Sequence, residues 1–161
     1  MHRVGQFVAH VRARVEPAEE AFAARVLSPS LLALFVSMPV ADRRHALDVA
    51  EKLLAAGHDD PDLLGAALLH DAAKGHGMRL WHRVGGVLLE SLAPAVLRRL
   101  ADPDPRSWRH PFHLYLHHEP MSAGLASDAG ASPRLIAFIS GTASEADARP
   151  ADALRTADDA S

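Results

Sequence analysis

Cysteine is missing from the 161 residues of this chain, which excludes disulfides and thiolate metal sites and leaves nitrogen and oxygen as the only ligands for a metal. Missing too is any excess of positive charge. With 17 Lys and Arg against 20 Asp and Glu the formal net charge is −3, so no broad positive field is available to hold a nucleic-acid backbone. Nucleic acid is not an expected partner. Long apolar runs are absent as well: LLALFVSMPV at 31–40 is far below the roughly 20 residues that cross a bilayer. The leading MHRVGQFVAHVRARVEP is interrupted by His2, Arg3, His10, Arg12 and Arg14 before a signal-peptide core could form. A cytoplasmic protein with no membrane partner is expected.

What is present suits a folded domain. Hydrophobic residues reach 48% and charged residues 23%, close to globular averages, and the length is that of one ordinary domain able to bury a core. One feature of the composition is unusual. Eleven histidines stand against a single tyrosine, and histidine is the commonest metal ligand.

Ala, Leu and Arg dominate, apolar residues recur at spacings of three and four, and no stretch alternates long enough for a strand. The expected fold is all-α, a single compact multi-helix domain. Helices are predicted over about 2–14, 17–26 and 30–37, then over 41–56 with Gly57 as the stop. Asp60 caps the next, with Pro61 in its first turn, and it should run to Lys74 and stop at Gly75. Further helices are expected at 78–91 and 93–101, followed by the proline-rich loop ADPDPRSWRHP. One or two helices should then end at Gly130, with others at 132–140 and 151–160 and a loop over 141–152.

The stretch LLHDAAKG, residues 68–75, carries the strongest chemical signal. An apolar helix should run into His70, Asp71 and Lys74 with these three on its core side. An inward ionised carboxylate costs several kcal/mol unless it is paired, protonated or bound to a cation. His45 falls on the inner stripe of its own helix, and Asp158 on that of the last. Two imidazoles and two carboxylates suit a divalent Mn, Fe, Co, Zn or Mg ion with positions left for water. The alternative is an internal salt-bridge network that pairs Asp71 with Lys74.

The order His45, His70–Asp71, Asp158 on helices resembles the HD-domain superfamily of metal-dependent phosphohydrolases. The matching segments are RRHALDVA, ALLHDAAKG, HHEPMSAGLA and LRTADDA, spread over roughly residues 40–160. The resemblance implies an HD-type domain over 40–161, with residues 1–39 as a helical extension packed on it. It implies that His45, His70, Asp71 and Asp158 hold a first metal, most simply one ion per chain, and that Asp71 also orients the attacking water. Family members with two metals add a histidine in an HxPxGA-like segment, matched here by His118 with Pro120. They add another at the end of the following helix, where this chain has ISGT and Thr142 in the aligned place.

The activity so implied is hydrolysis of a nucleotide or other small phosphate ester by a metal-activated water. The alternative is a catalytically degraded HD domain that binds a nucleotide or a protein partner. Lys74 could neutralise substrate phosphate, or be a solvated lysine at a helix end. His82 and Arg83, in MRLWHRV, are candidates to overhang the site and bind the substrate, since arginine offers phosphate a fork of donors.

Overall fold

The computed structural model describes residues 14–75, 78 and 80–161, and the helix expected at 2–14 lies almost wholly outside them. The fold is all-α and compact. The helices are α1 (Pro17–Val26), α2 (Pro29–Ser37), α3 (Val40–Ala55), α4 (Pro61–Leu69), α5 (Leu80–Leu92), α6 (Pro94–Leu100), α7 (His110–Asp128), α8 (Pro133–Ile139) and α9 (Ala148–Asp159), with a 3₁₀ turn at Glu145–Asp147 before the last. No helix among the described residues is long and apolar enough to cross a membrane.

The architecture is organised around α4. Asp60 caps it by accepting from the backbone N–H groups of Asp62 and Leu63 at 3.0 and 3.1 Å, and Pro61 gives up no hydrogen bond in the first turn. Every residue from Leu63 to Leu69 is buried, so this helix is apolar on all sides because helices cover it all round. It packs on α3, α8, α9, α1 and α2. Residues of α1 and α2 are continuous with the same core, since Ala23, Leu27, Leu31 and Phe35 cluster with Leu63, Leu68 and Leu69.

Two features hold α9 against this centre. Arg134 on α8 donates to Asp60 at 2.6 Å and pairs with Asp147 at 2.8 Å, joining the starts of α4 and α9. At the other end, Lys52 of α3 donates to the Ala160 carbonyl at 2.5 Å and to Ser161 Oγ at 2.8 Å. The last turn of α9, which carries Asp158, is thereby tied to the helix that carries His45.

Two expected boundaries need correction, and one open alternative is resolved. The helix expected to run to Lys74 ends at Leu69, and residues 70–75 form successive tight turns with Ala72 N–H donating to Leu69 at 3.0 Å and Lys74 N–H to Asp71 at 3.0 Å. Bonds to the third residue back tighten a helix end, and Gly75 closes the run at φ +52°, where a Cβ is disfavoured. The last helix starts at Ala148, not 151, because Pro150 fits its first turn, so the loop after residue 141 is shorter than expected. The stretch before Gly130 is one helix, α7, with Pro120 inside it and exposed.

Candidate metal centre

The site lies where α3, the 70–75 turns and the end of α9 meet, with α7 alongside. His45 Nε2 is 2.8 Å from Asp158 Oδ1, and His70 Nε2 is 3.4 Å from the same oxygen. These three residues present ligand atoms that all lie within 4.8 Å of one another, so the cluster could hold a metal ion. Asp71 borders the trio: its Oδ2 is 4.0 Å from His45 Nε2 and its Oδ1 3.5 Å from His70 Nε2. On its far side His118 Nε2 approaches Oδ1 at 3.7 Å and Lys74 Nζ bonds Oδ2 at 2.6 Å. The polar residues expected on the core side of α4 therefore do converge, but from turns beyond its end.

Burial falls from floor to rim. Side-chain exposure is 1% for Asp71 and 9% for His70, against 28% for His45 and 43% for Asp158. A closed floor fixes geometry and an open rim admits solvent and a ligand.

The tautomers give the cluster its meaning. His70 Nδ1 lies 2.9 Å from the Ala67 carbonyl and His118 Nδ1 lies 2.9 Å from the Tyr115 carbonyl. A carbonyl only accepts, so both Nδ1 atoms carry the proton. The lone pair of each Nε2 is then directed at carboxylate oxygens, an arrangement that repels unless a cation or a proton lies between. His70 Nε2 and Asp71 Oδ1 are in fact buried without a hydrogen-bond partner. A ring nitrogen and a carboxylate oxygen facing one another from fixed directions mark a place for a cation, filled either by a proton on His70 Nε2 or by a divalent ion held by nitrogen and oxygen.

The charge balance agrees. Burial alone would lower the His70 pKa, but Asp71 and Asp158 outweigh it and push the group up to about 9. Burial would raise Asp71, yet His70, Lys74 and His118 hold it well below the usual carboxylate range. Asp158 is likewise opposed by burial and lowered by the His45 hydrogen bond and by His70 beside it. His118 is lowered by burial and then by the Lys74 ammonium, so it is neutral near pH 7.

His82 is buried in the packing of α5 against α7, with its ring edge-on to Phe112 at 5.8 Å. Arg83 belongs to α5, and its side chain lies outside the described residues. Thr142 shares a 2.8 Å hydrogen bond with Ser140.

Sequence reasoning missed Ser122. Fully buried on α7, its Oγ accepts the Ala73 N–H at 3.0 Å and so fastens the turn that holds His70 and Asp71. The signal available was a small polar residue at a core register beside Ala123 and Ala126. Ser122→Ala is expected to destabilise the protein by about 1–3 kcal/mol, because an N–H in the turn loses its partner. Urea denaturation measures the loss, and an unchanged midpoint would mean that the bond contributes nothing.

No family model, no curated protein and no solved structure matches the chain.

Proposed function

We propose that this chain is an HD-type metal-dependent phosphohydrolase that binds one divalent ion and hydrolyses a nucleotide or other small phosphate ester. The reading is supported chiefly by the convergence of His45, His70 and Asp158 beside buried Asp71, where His70 Nε2 and Asp71 Oδ1 are buried without a hydrogen-bond partner. A bound ion of this class supplies an acidified water and neutralises charge on a phosphoryl oxygen. Asp71, held ionised at the floor, orients the attacking water by accepting its hydrogen bond. Lys74, one fifth exposed on Asp71, offers an ammonium to substrate phosphate. His118, neutral and with its Nε2 3.7 Å from Asp71 Oδ1, offers a further nitrogen beside that carboxylate.

A second reading is a degraded HD domain that binds a nucleotide or protein partner without turning anything over. It is favoured by the Lys74 ammonium seated on Asp71 at 2.6 Å and by Thr142 in the place aligned with a second-metal histidine.

Metal content by mass spectrometry on untagged protein purified without chelator, followed by a screen of phosphate esters, tests the proposal. About one ion per chain is expected at the His45–His70–Asp158 cluster, with turnover that stops on chelation and returns when the ion is restored. Metal without turnover on any ester would favour the degraded domain. A protein that takes up no Mn, Fe or Zn would leave the cluster as an internal salt-bridge network.

A further inference from the structure

Helix α7 carries two unlike sets of histidines. His118 faces Asp71. His110, His113 and His117, at spacings of three and four, share a different face: the rings of His110 and His113 stack with centroids 5.8 Å apart, and those of His113 and His117 stand 4.5 Å apart at 44°. None of the three belongs to the His45–His70–Asp158 group. We propose that His113 and His117, with His110 beside them, form a separate surface site for a late first-row divalent ion such as zinc, nickel or copper.

The geometry favours chelation. Residues four apart on a helix lie one above the other, about 5–6 Å between Cβ atoms, which lets two imidazoles reach neighbouring positions on one ion. His117 is exposed and His113 half-buried, so the pair is open to solvent on one side and fixed on the other. His110 Nδ1 donates to the Asp102 carbonyl at 3.2 Å, leaving its Nε2 with a lone pair. The trio is not drawn together tightly enough to be a closed three-ligand site, since the one such group among the described residues lies elsewhere. The pair is thus the nucleus of the site, and His110 joins by a change of rotamer.

Ligand chemistry sets the class of ion. A site of imidazoles with no carboxylate among the ligands selects zinc, nickel or copper over magnesium or manganese. Partial burial, then the neighbouring His117 and His110, lowers the His113 pKa, so the neutral form that binds metal prevails near pH 7. This site is independent of phosphate-ester chemistry. Its remaining coordination positions are open to water or to a donor from another molecule.

Equilibrium dialysis of untagged wild type and of a His113→Gln/His117→Gln variant against zinc and against manganese tests it. The wild type is expected to hold about one more zinc than manganese ion per chain, and the variant to lose that zinc while keeping its manganese. Equal zinc binding by the two proteins, or no zinc in excess of manganese in the wild type, would overturn the proposal. Since His117 is exposed and His113 is only half-buried, the variant should fold, which circular dichroism checks. As a second readout on the wild type, Cu(II) should broaden the ring proton NMR signals of His113 and His117 at low equivalents. Sharp signals at one equivalent beyond saturation of the His45 cluster would also overturn it.

Discussion

Asp71→Ala is expected to leave the protein with little bound manganese and to lower phosphate-ester turnover by about a hundredfold, the upper end of what loss of a residue supporting a metal ligand does. The reason is the position of this carboxylate. It is 1% exposed and is approached by His70, His118, His45 and Lys74, so its negative charge is what makes it tolerable to hold so many donors and cations at one buried point. Removing it leaves the Lys74 ammonium and a protonated His70 without their nearest counter-charge, and an arriving divalent ion would meet net repulsion. Breaking a buried pair on one side costs roughly 3–5 kcal/mol, so the alanine variant should also be less stable. Asp71→Asn separates the two effects because it keeps the volume and removes the charge. The pair of variants, assayed for metal by mass spectrometry and for turnover in parallel, gives a clear contrast. Wild-type metal content and wild-type turnover in Asp71→Asn would mean that the carboxylate serves the fold alone.

Much of this arrangement was legible in the sequence, and for physical reasons. Asp60 followed by Pro61 marks a helix start that the cap hydrogen bonds realise, and the stop at Gly57 is realised at φ +84°. His45 and Asp158 were placed inward by apolar spacing, and both reach the cluster. The end of α4 was not legible. Helical periodicity continues through His70, Asp71 and Lys74, but the turn there is decided by partners remote in sequence, above all Ser122 Oγ on the Ala73 N–H, and by the His70 ring on the Ala67 carbonyl. Nor could spacing reveal that Asp71 stands beside a tight trio, because that depends on which oxygen Lys74 occupies. The beginning of α9 was obscured by Pro150, which reads as a loop residue until its place in a first turn is seen. His82 stands differently. Proximity along the chain to His70 and Asp71 suggested a substrate contact, while its burial and its place edge-on to Phe112, where α5 packs on α7, depend on tertiary packing that spacing does not reveal.

Metal affinity is expected to rise about tenfold for each pH unit between roughly 7 and 9, where the deprotonated His70 required of a ligand becomes available. A histidine of ordinary pKa would weaken binding only in a window where the pH fell through about 6. The structure moves it upward: the His70 pKa lies at about 9 because Asp71 and Asp158 more than offset burial. In the metal-free protein a proton on Nε2 takes the place that the ion would fill. Since the folded pKa is raised above the unfolded value, this proton stabilises the fold fully below about pH 6.5, by roughly 3 kcal/mol, and the benefit is lost as the pH rises through about 9. Asp71 and Asp158 are shifted down, so their contribution is present above about pH 4 and disappears as the pH falls. The metal-free chain should therefore be most stable between about pH 4 and 6.5, while saturating metal should move that optimum towards neutral pH and above. Calorimetric titration at pH 7 in two buffers of different ionisation enthalpy should detect release of about one proton per ion bound. If instead the affinity is flat from pH 7 to 9 and no proton is released, His70 is neutral before the ion arrives, and the electrostatic picture of the floor is wrong.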